Sequence, residues 1–472
     1  MKQVYEQLLK SIPDYNEFLT VDEMEASSQE LARKYPDCVT LFPFGTTRDG
    51  STLNCLKIGD GSHTALMFGC PHPNEPIGTM MLEYFTKQLA ENEELRKELD
   101  YTWYVVKVWD MDGLRLNEKW LKGPYTLYNY SRNFFRPAGH QQVDWTFPID
   151  YKELHFHDTI PESEAMMRLI DEIRPQFIYS LHNAGFGGVY WYLSWQTPEI
   201  YEAMREATVK QNIPMHLGEP EAPFCVEWAP AVYQALDIKA EYDYMEKYGN
   251  SDMKEAVKWG TCSAAYASDV CQAFTLLTEE PYFYDKRITD MSPSDMPRKD
   301  AVLKKLEWEE ESNRFIKDTL ALTQKYMDEK NPFLLALQAF TTSDSAEATK
   351  KMVQENPEYN VTATVAEKFD NLLVSKFYKL LSYGMLIRAN EWELERMAQK
   401  NDNNSAKADA LKIAAQTAAA EHEKLAEKLE EEIDYEVVPI QKLVSIQLEC
   451  GIIVAEYLKH QNVPEIKTSD VS

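Results

Sequence analysis

Residues 64–85, TALMFGCPHPNEPIGTMMLEYF, constrain the fold more than any other stretch of the chain. A continuous apolar run gives way to a tight polar loop and then to apolar residues at helical spacing, which continue through IGTMMLEYFTKQLAENEELRKEL. YTWYVVKVWDMDG then returns to the pattern of a buried strand. Strand, helix and strand in that order form an α/β unit, which needs a sheet with helices packed on it.

The same texture extends in both directions. Upstream, CVTLFPFGTTRDGSTLNCLKIGDGSHTALMFGC holds three apolar runs separated by the turn chemistry RDGS and GDGS, and Val4 to Tyr35 has helix-like apolar spacing. Downstream, EAMMRLIDEIRP predicts a helix, while QFIYSLHNAG and CQAFTLLTEE predict strands. From about Pro297 the pattern changes to four long, charge-laced helices, the last being PIQKLVSIQLECGIIVAEYLKH. A chain of 472 residues with 44% hydrophobic content is too long for one ordinary core and apolar enough to bury more than one. The expected fold class is therefore α/β. A mixed-sheet α/β/α catalytic domain is expected over residues 1–330, with an acidic all-α module over 331–472.

The formal net charge is −28, a field that repels phosphates and argues against a nucleic-acid partner. It is compatible with a cationic substrate, although most acidic proteins are acidic for solubility alone. Neither a signal peptide nor a lipid anchor is indicated in MKQVYEQLLKSIPDYNEF, and no run is long and apolar enough to span a bilayer. The seven cysteines are scattered without CxxC pairs, as in a protein of the reducing cytoplasm.

Chemistry concentrates at the ends of the predicted strands, where open α/β sheets bind ligands. His72 and Glu75 lie three residues apart on the loop between a strand and a helix, and zinc accepts both ligand types at roughly 2.0–2.2 Å. His182 ends another strand and offers a third ligand; Glu279 ends a further one and could take a proton from water. Strand alternation sends only one of Glu279 and Glu280 toward the site, and the register favours Glu279. A second HxxE, His216 to Glu219, reads as incidental because no clear helix follows it. The other six histidines, His63, His140, His155, His157, His422 and His460, read as surface or core filler. Val189 to Leu193 could line a pocket, although core packing of a central strand explains its aromatics as well.

Taken in order, these motifs resemble the zinc metallocarboxypeptidases of the carboxypeptidase A and B type, over roughly residues 1–330. GTTRDGSTL resembles that family's early strand pair, PHPNEP its first metal motif, DMDGLRLN its Asn-Pro-Asp-Gly loop, SRNF its Asn-Arg-Asn-aromatic motif, SLHN its second metal motif and LTEEP its catalytic glutamate strand. The resemblance implies one Zn2+ per chain on His72, Glu75 and His182, with Glu279 as general base. It also implies Arg132 gripping the terminal carboxylate of a peptide or a small amino-acid-derived substrate, a task that suits a planar guanidinium.

Departures from the family pattern are equally specific. Ser131 stands where an asparagine normally assists Arg132, and Leu121 stands in place of the oxyanion-stabilising arginine. Arg115 is the first candidate to supply that missing cation, with Lys122 and Arg136 behind it. No tyrosine in SDMKEAVKWGTCSAAY matches the family's closing tyrosine, since Tyr266 lies on the wrong side of Gly260. A metallocarboxypeptidase is the expected function. An N-acyl amino acid deacylase on the same zinc site is an alternative, and a zinc-binding scaffold acting through its helices is an alternative of another class. The C-terminal helices could form a homo-oligomer, cover the rim of the site or bind a protein partner.

Overall fold

The computed structural model describes residues 2–249, 252–253, 257–342 and 344–461. Its centre is a mixed nine-stranded sheet. In chain order the strands are β1 (Val39–Thr46), β2 (Thr52–Ile58), β3 (His63–Gly69), β4 (Tyr101–Val106), β5 (Phe177–Leu181), β6 (Tyr190–Leu193), β7 (Glu227–Ala229), β8 (Val232–Gln234) and β9 (Phe274–Glu279). They lie side by side as β1-β2-β4-β3-β5-β9-β6-β8-β7. Strands β4, β3, β5 and β9 run parallel, while β6 pairs antiparallel to β9 with Tyr190 opposite Glu279.

Strand order explains where a site can form. From β3 the chain crosses through helix Ile77–Glu91 to β4 on one side, and it later returns through helix Pro161–Ile173 to β5 on the other. The carboxyl ends of β3 and β5 are thus neighbours whose following loops diverge, which opens a crevice at a topological switch point. Helix Ile77–Glu91 approaches the sheet closely because Gly78 carries no side chain. A Cβ there would stand 2.4 Å from the Leu181 Cβ at the end of β5.

Helices cover both faces, as the α/β/α expectation requires. One apolar core gathers Met67, Trp103, Tyr179 and Trp191 from the sheet with helices Ile77–Glu91, Pro198–Gln211 and Ile440–Lys459. The other gathers Leu66, Phe68 and Ile178 from the opposite face with helices Pro161–Ile173 and Ser263–Cys271. Among the described residues, no helix is long and apolar enough to cross a membrane.

One expectation about domains needs correction. Helix Ile440–Lys459 belongs to the α/β/α layers and not to a separate module beyond residue 330. Tyr179 of β5 donates its hydroxyl to the Gln447 carbonyl at 2.8 Å, and the Gln447 side-chain amide donates to the His182 carbonyl at 3.1 Å. A helix seated directly on two buried strands must be apolar nearly all round, and this one buries fourteen residues, including Ile446, Leu448, Gly451 and Val454. The other long helices, Arg298–Thr323, Ser375–Lys400 and Ser405–Glu432, pack on one another beside the sheet's carboxyl ends.

Glu280 follows β9 and turns toward helix Ile440–Lys459. Its carboxyl is fully buried, neither oxygen has a hydrogen-bond partner among the described residues, and burial pushes its pKa well above the usual carboxylate range. Burial and the neighbouring Glu280 likewise push up the Cys450 thiol of that helix.

Two outcomes follow from this packing. A Cβ on Gly451 would stand 2.8 Å from the Tyr179 ring, so Gly451→Val is expected to destabilise the fold by about 1–3 kcal/mol, read from the midpoint of urea unfolding. Glu280 binds its proton more tightly folded than unfolded. Its contribution to stability is therefore complete below the ordinary carboxylate range and declines as pH rises toward the raised value. Glu280→Gln is expected to flatten that decline in unfolding curves measured across neutral and alkaline pH.

Candidate metal centre

Three side chains from two neighbouring strand ends converge in the crevice. The loop after β3 folds back on itself, with the Glu75 amide donating to the His72 carbonyl at 3.1 Å, so that imidazole and carboxylate share one face. His72 Nδ1 stands 3.1 Å from both Glu75 oxygens, and His182 Nδ1, from the end of β5, stands 3.0 Å from Oε2. All three residues are buried. The rings of His72 and His182 lie edge to face at 4.8 Å.

This donor set fits a divalent cation. The ligand atoms lie within 4.8 Å of one another, and tetrahedral zinc ligands at about 2.1 Å are spaced by roughly 3.4 Å. Each Nδ1 is directed at Glu75, while the far ring nitrogens meet other groups: His182 Nε2 lies 2.8 Å from the Ser180 hydroxyl and His72 Nε2 lies 3.0 Å from Arg136. Burial, with the Arg136 charge adding to it, pushes the His72 pKa down to about 3, so the imidazole is neutral, as a metal ligand must be. Burial alone would raise the Glu75 carboxyl, but the two imidazoles outweigh it and hold the group well below the carboxylate range.

Alternation along β9 turns Glu279 into the crevice, with Oε1 3.6 Å from His182 Nδ1. Burial first, then the negative charges of Glu75 and Glu221, push its pKa well above the usual carboxylate range. A carboxyl beside a candidate metal and readily protonated is suited to passing protons.

Of the three cations considered for the oxyanion, only Arg136 reaches this centre, donating to Glu75 Oε1 at 3.1 Å and to His72 Nε2 at 3.0 Å. Arg115 corrects the first expectation. It lies on the outer side of helix Met111–Leu121 and pairs with Asp22 at 2.7 Å. Lys122 likewise pairs with Glu17 and Glu23 at the surface.

The expected carboxylate clamp is also displaced. Arg132 points to Glu391 at 2.6 Å, and the Ser131 hydroxyl donates to the Leu127 carbonyl at 2.6 Å and stands 2.8 Å from His422 Nε2. Both partners come from helices Ser375–Lys400 and Ser405–Glu432, which cover the short helix Leu127–Asn133 and take its polar side chains for packing. Tyr266 is turned away as well, donating to Asp171 at 2.8 Å.

Other contacts escaped the sequence reading. Tyr282 Oη lies 2.9 Å from Asn183 Oδ1 and 3.2 Å from the Asn74 carbonyl, and Asn183 Oδ1 also accepts from the Ile77 amide at 3.2 Å. These bonds fix the loop after β3 to the loop after β5. Their only sequence signal is adjacency, since Asn74 and Asn183 each flank a metal motif. Asp144 was missed too; it is buried near His182 and accepts from the Ser263 amide at 2.7 Å.

The centre opens into a cavity of about 620 Å³. Its walls come from both halves of the chain: Tyr190, Tyr233 and Glu221 on one side, and Phe340, Tyr378 and Met385 of the C-terminal segment on another. The helices beyond residue 330 therefore form part of the rim of the site.

Residues 24–259, half of the chain, match the model of the family described as zinc carboxypeptidase. No curated protein matches the chain in sequence. Similar solved structures include a candidate metallopeptidase from Shewanella amazonensis (14% identity, covering 55% of this chain and 84% of that one, TM-score 0.38). Another is carboxypeptidase A from Helicoverpa armigera (15%, 59% and 71%, TM-score 0.35). A third is bovine thrombin-activatable fibrinolysis inhibitor in complex with tick carboxypeptidase inhibitor (13%, 56% and 86%, TM-score 0.32). The matched segment contains His72, Glu75, Arg136 and His182, while Glu279 lies beyond it. With half its length under the family model, and with that model's segment spanning the three converging donors, the chain belongs to the zinc carboxypeptidase family.

Proposed function

We propose that the protein is a zinc-dependent metallocarboxypeptidase that removes the C-terminal residue of a peptide, with His72, Glu75 and His182 holding one zinc ion and Glu279 as general base. The observation that carries this reading is the placement of Glu279 beside the three donors, 3.6 Å from His182 and inside the same crevice.

Zinc bound there supplies Lewis-acid polarisation of a carbonyl and acidification of water. The protein's own groups complete the chemistry. Glu279 takes a proton from the attacking water and returns it to the leaving amine. Arg136 faces the same space and is placed to hold negative charge developing on the carbonyl oxygen, the role for which Arg115 was first considered. Tyr282 and Asn183 keep the two ligand-bearing loops in register, so the donors need no reorganisation during turnover.

A second reading is favoured by one observation. Arg132 is engaged by Glu391, so the usual grip on a terminal carboxylate is absent from the cavity wall, which suits a hydrolase of N-acyl amino acids on the same zinc. Rates on dipeptides against N-acyl amino acids separate the two. A zinc scaffold without catalysis is opposed by the buried Glu279 at the centre. A cytoplasmic location belongs to the same proposal, and the seven cysteines are free thiols.

Glu279→Gln is expected to lower kcat by about 10²–10⁴-fold while zinc content by metal analysis stays at the wild-type level. Full activity in that variant would refute the assignment. Arg136→Ala is expected to lower kcat by about 10²–10³-fold, with partial recovery in Arg136→Lys. An unchanged kcat in steady-state assays would place the oxyanion elsewhere.

A further inference from the structure

The cavity at the metal centre continues past its C-terminal wall. A second space of about 570 Å³ adjoins it, and Pro220, Lys305, Glu309, Phe340 and Lys379 are among the residues that line both. The long wall of this second space is one face of helix Arg298–Thr323. Val302, Lys305, Glu309, Asn313 and Lys317 recur there at intervals of three and four residues, which sets them in a row along the helix surface. With a rise of about 1.5 Å per residue, the lining from Val302 to Asp318 extends over about 24 Å. The space is therefore a groove. Its facing wall is the loop around Pro220 and Pro223, together with Thr342, Ser345, Ala346 and Thr349, whose side chains are small.

The second HxxE segment, His216 to Glu219, fixes these walls where groove and cavity meet. The Glu219 carboxylate grips Arg298, the first residue of the long helix, in two bonds of 3.0 and 2.6 Å and accepts from Asn371 at 3.0 Å. The Glu219 amide donates to Asp370 Oδ2 at 2.8 Å, and His216 Nε2 stands 3.3 Å from the same oxygen. Across the junction, Lys379 donates to Asn313 of the long helix at 2.9 Å. The walls are thus joined to one another by side-chain bonds, so a ligand entering the groove does not bear the cost of ordering them.

A peptide whose last residue lies beside the metal donors must lead the rest of its chain out of the cavity, and the groove continues from that cavity. From Glu309, which faces both spaces, to Asp318 is about 14 Å, the reach of about four residues of extended chain. The charged residues that the long helix turns to the groove are balanced, with Lys305, Arg314 and Lys317 against Glu309, Glu310 and Asp318. Such a lining favours neither sign of charge and suits a chain of mixed sequence. We propose that this groove binds the stretch of a polypeptide upstream of the scissile bond, so that the protein acts on extended chain ends in preference to dipeptides and N-acyl amino acids. The inference rests on the carboxypeptidase reading for the reaction, but recognition of chain length is a property of binding and is separable from turnover.

The test is calorimetric titration of the zinc-loaded Glu279→Gln protein with a hexapeptide and with a dipeptide, both N-acetylated and sharing their last two residues. The hexapeptide is expected to bind about tenfold more tightly. Ser345→Trp and Lys317→Trp, made in the same protein, fill the groove from its two walls, and a fall of that ratio toward unity in either supports the proposal. Equal affinity for the two peptides before the groove is filled, a ratio that survives in both tryptophan variants, or binding of neither peptide would each overturn it. Tighter binding of the hexapeptide, with no C-terminal residue released by the wild type from any peptide, would instead leave the groove as a chain-binding site and refute the carboxypeptidase reading alone.

Discussion

The structure is organised around one buried carboxylate. Glu75 is almost completely removed from solvent, and an ionised carboxylate in such a place is several kcal/mol unfavourable unless charges or donors surround it. Here two imidazoles and a guanidinium do so, from the loop after β3, the end of β5 and the segment around Arg136. A shift of any of these segments removes one of the partners of Glu75. The crossing of the chain at the β3 and β5 boundary, the glycine that lets helix Ile77–Glu91 reach Leu181, and the Tyr282 hydroxyl between the loops all serve to keep that arrangement in place. A divalent ion is the natural completion of such a cluster, since it compensates the carboxylate and uses the neutral imidazoles together.

Most of the architecture was legible because it is local. The runs around LMFG, YVV, IYSL and TLL each carry the apolar continuity of a strand buried on both faces, and the turn residues RDGS and GDGS mark the boundaries of β1, β2 and β3. The candidate site was legible to the extent that its residues terminate those strands. Arg136 could not be distinguished from Arg115 and Lys122 by sequence, because the three differ only in where their backbones project them. Arg115 and Lys122 lie on a helix flank and in the turn after it, with acids of the N-terminal helices and turns within reach, while Arg136 follows two buried phenylalanines that turn the chain inward. Helix Ile440–Lys459 was misplaced for a different reason. Its nearly all-round apolar pattern marked a buried helix, but nothing local to it names the strands it covers, more than 150 residues earlier in the chain.

Two adjacent acids at the end of β9 show how period-two geometry separates chemistry from packing. Glu279 and Glu280 have the same ionisable group and nearly the same backbone position, yet one faces the metal donors and the other faces the helix on the far side of the sheet. Both are pushed toward the protonated form by burial, and Glu279 has in addition the carboxylates of Glu75 and Glu221 close by. For Glu279 this raises its capacity to carry a proton. For Glu280 the push is toward the neutral acid within an apolar layer, satisfied by neither a donor nor a cation among the described residues.

The C-terminal half engages side chains near the centre as well as lining its cavity. Helices Ser375–Lys400 and Ser405–Glu432 supply Glu391 and His422, and these engage Arg132 and Ser131, the two positions that the family resemblance assigned to a substrate carboxylate. The Arg132 guanidinium is thereby drawn toward the covering helix by its pair with Glu391. The same segment lines the opposite wall of the cavity with Lys379, Tyr378 and Met385 and, through Asp370 and Asn371, fixes the loop that presents Glu221. Any carboxylate entering this cavity therefore meets Arg136, Lys305 and Lys379 as its nearby cations, and Lys379 is partly desolvated. The cavity thus joins a candidate metal centre inside the matched segment to wall residues Lys305, Tyr378, Lys379 and Met385 that lie outside it.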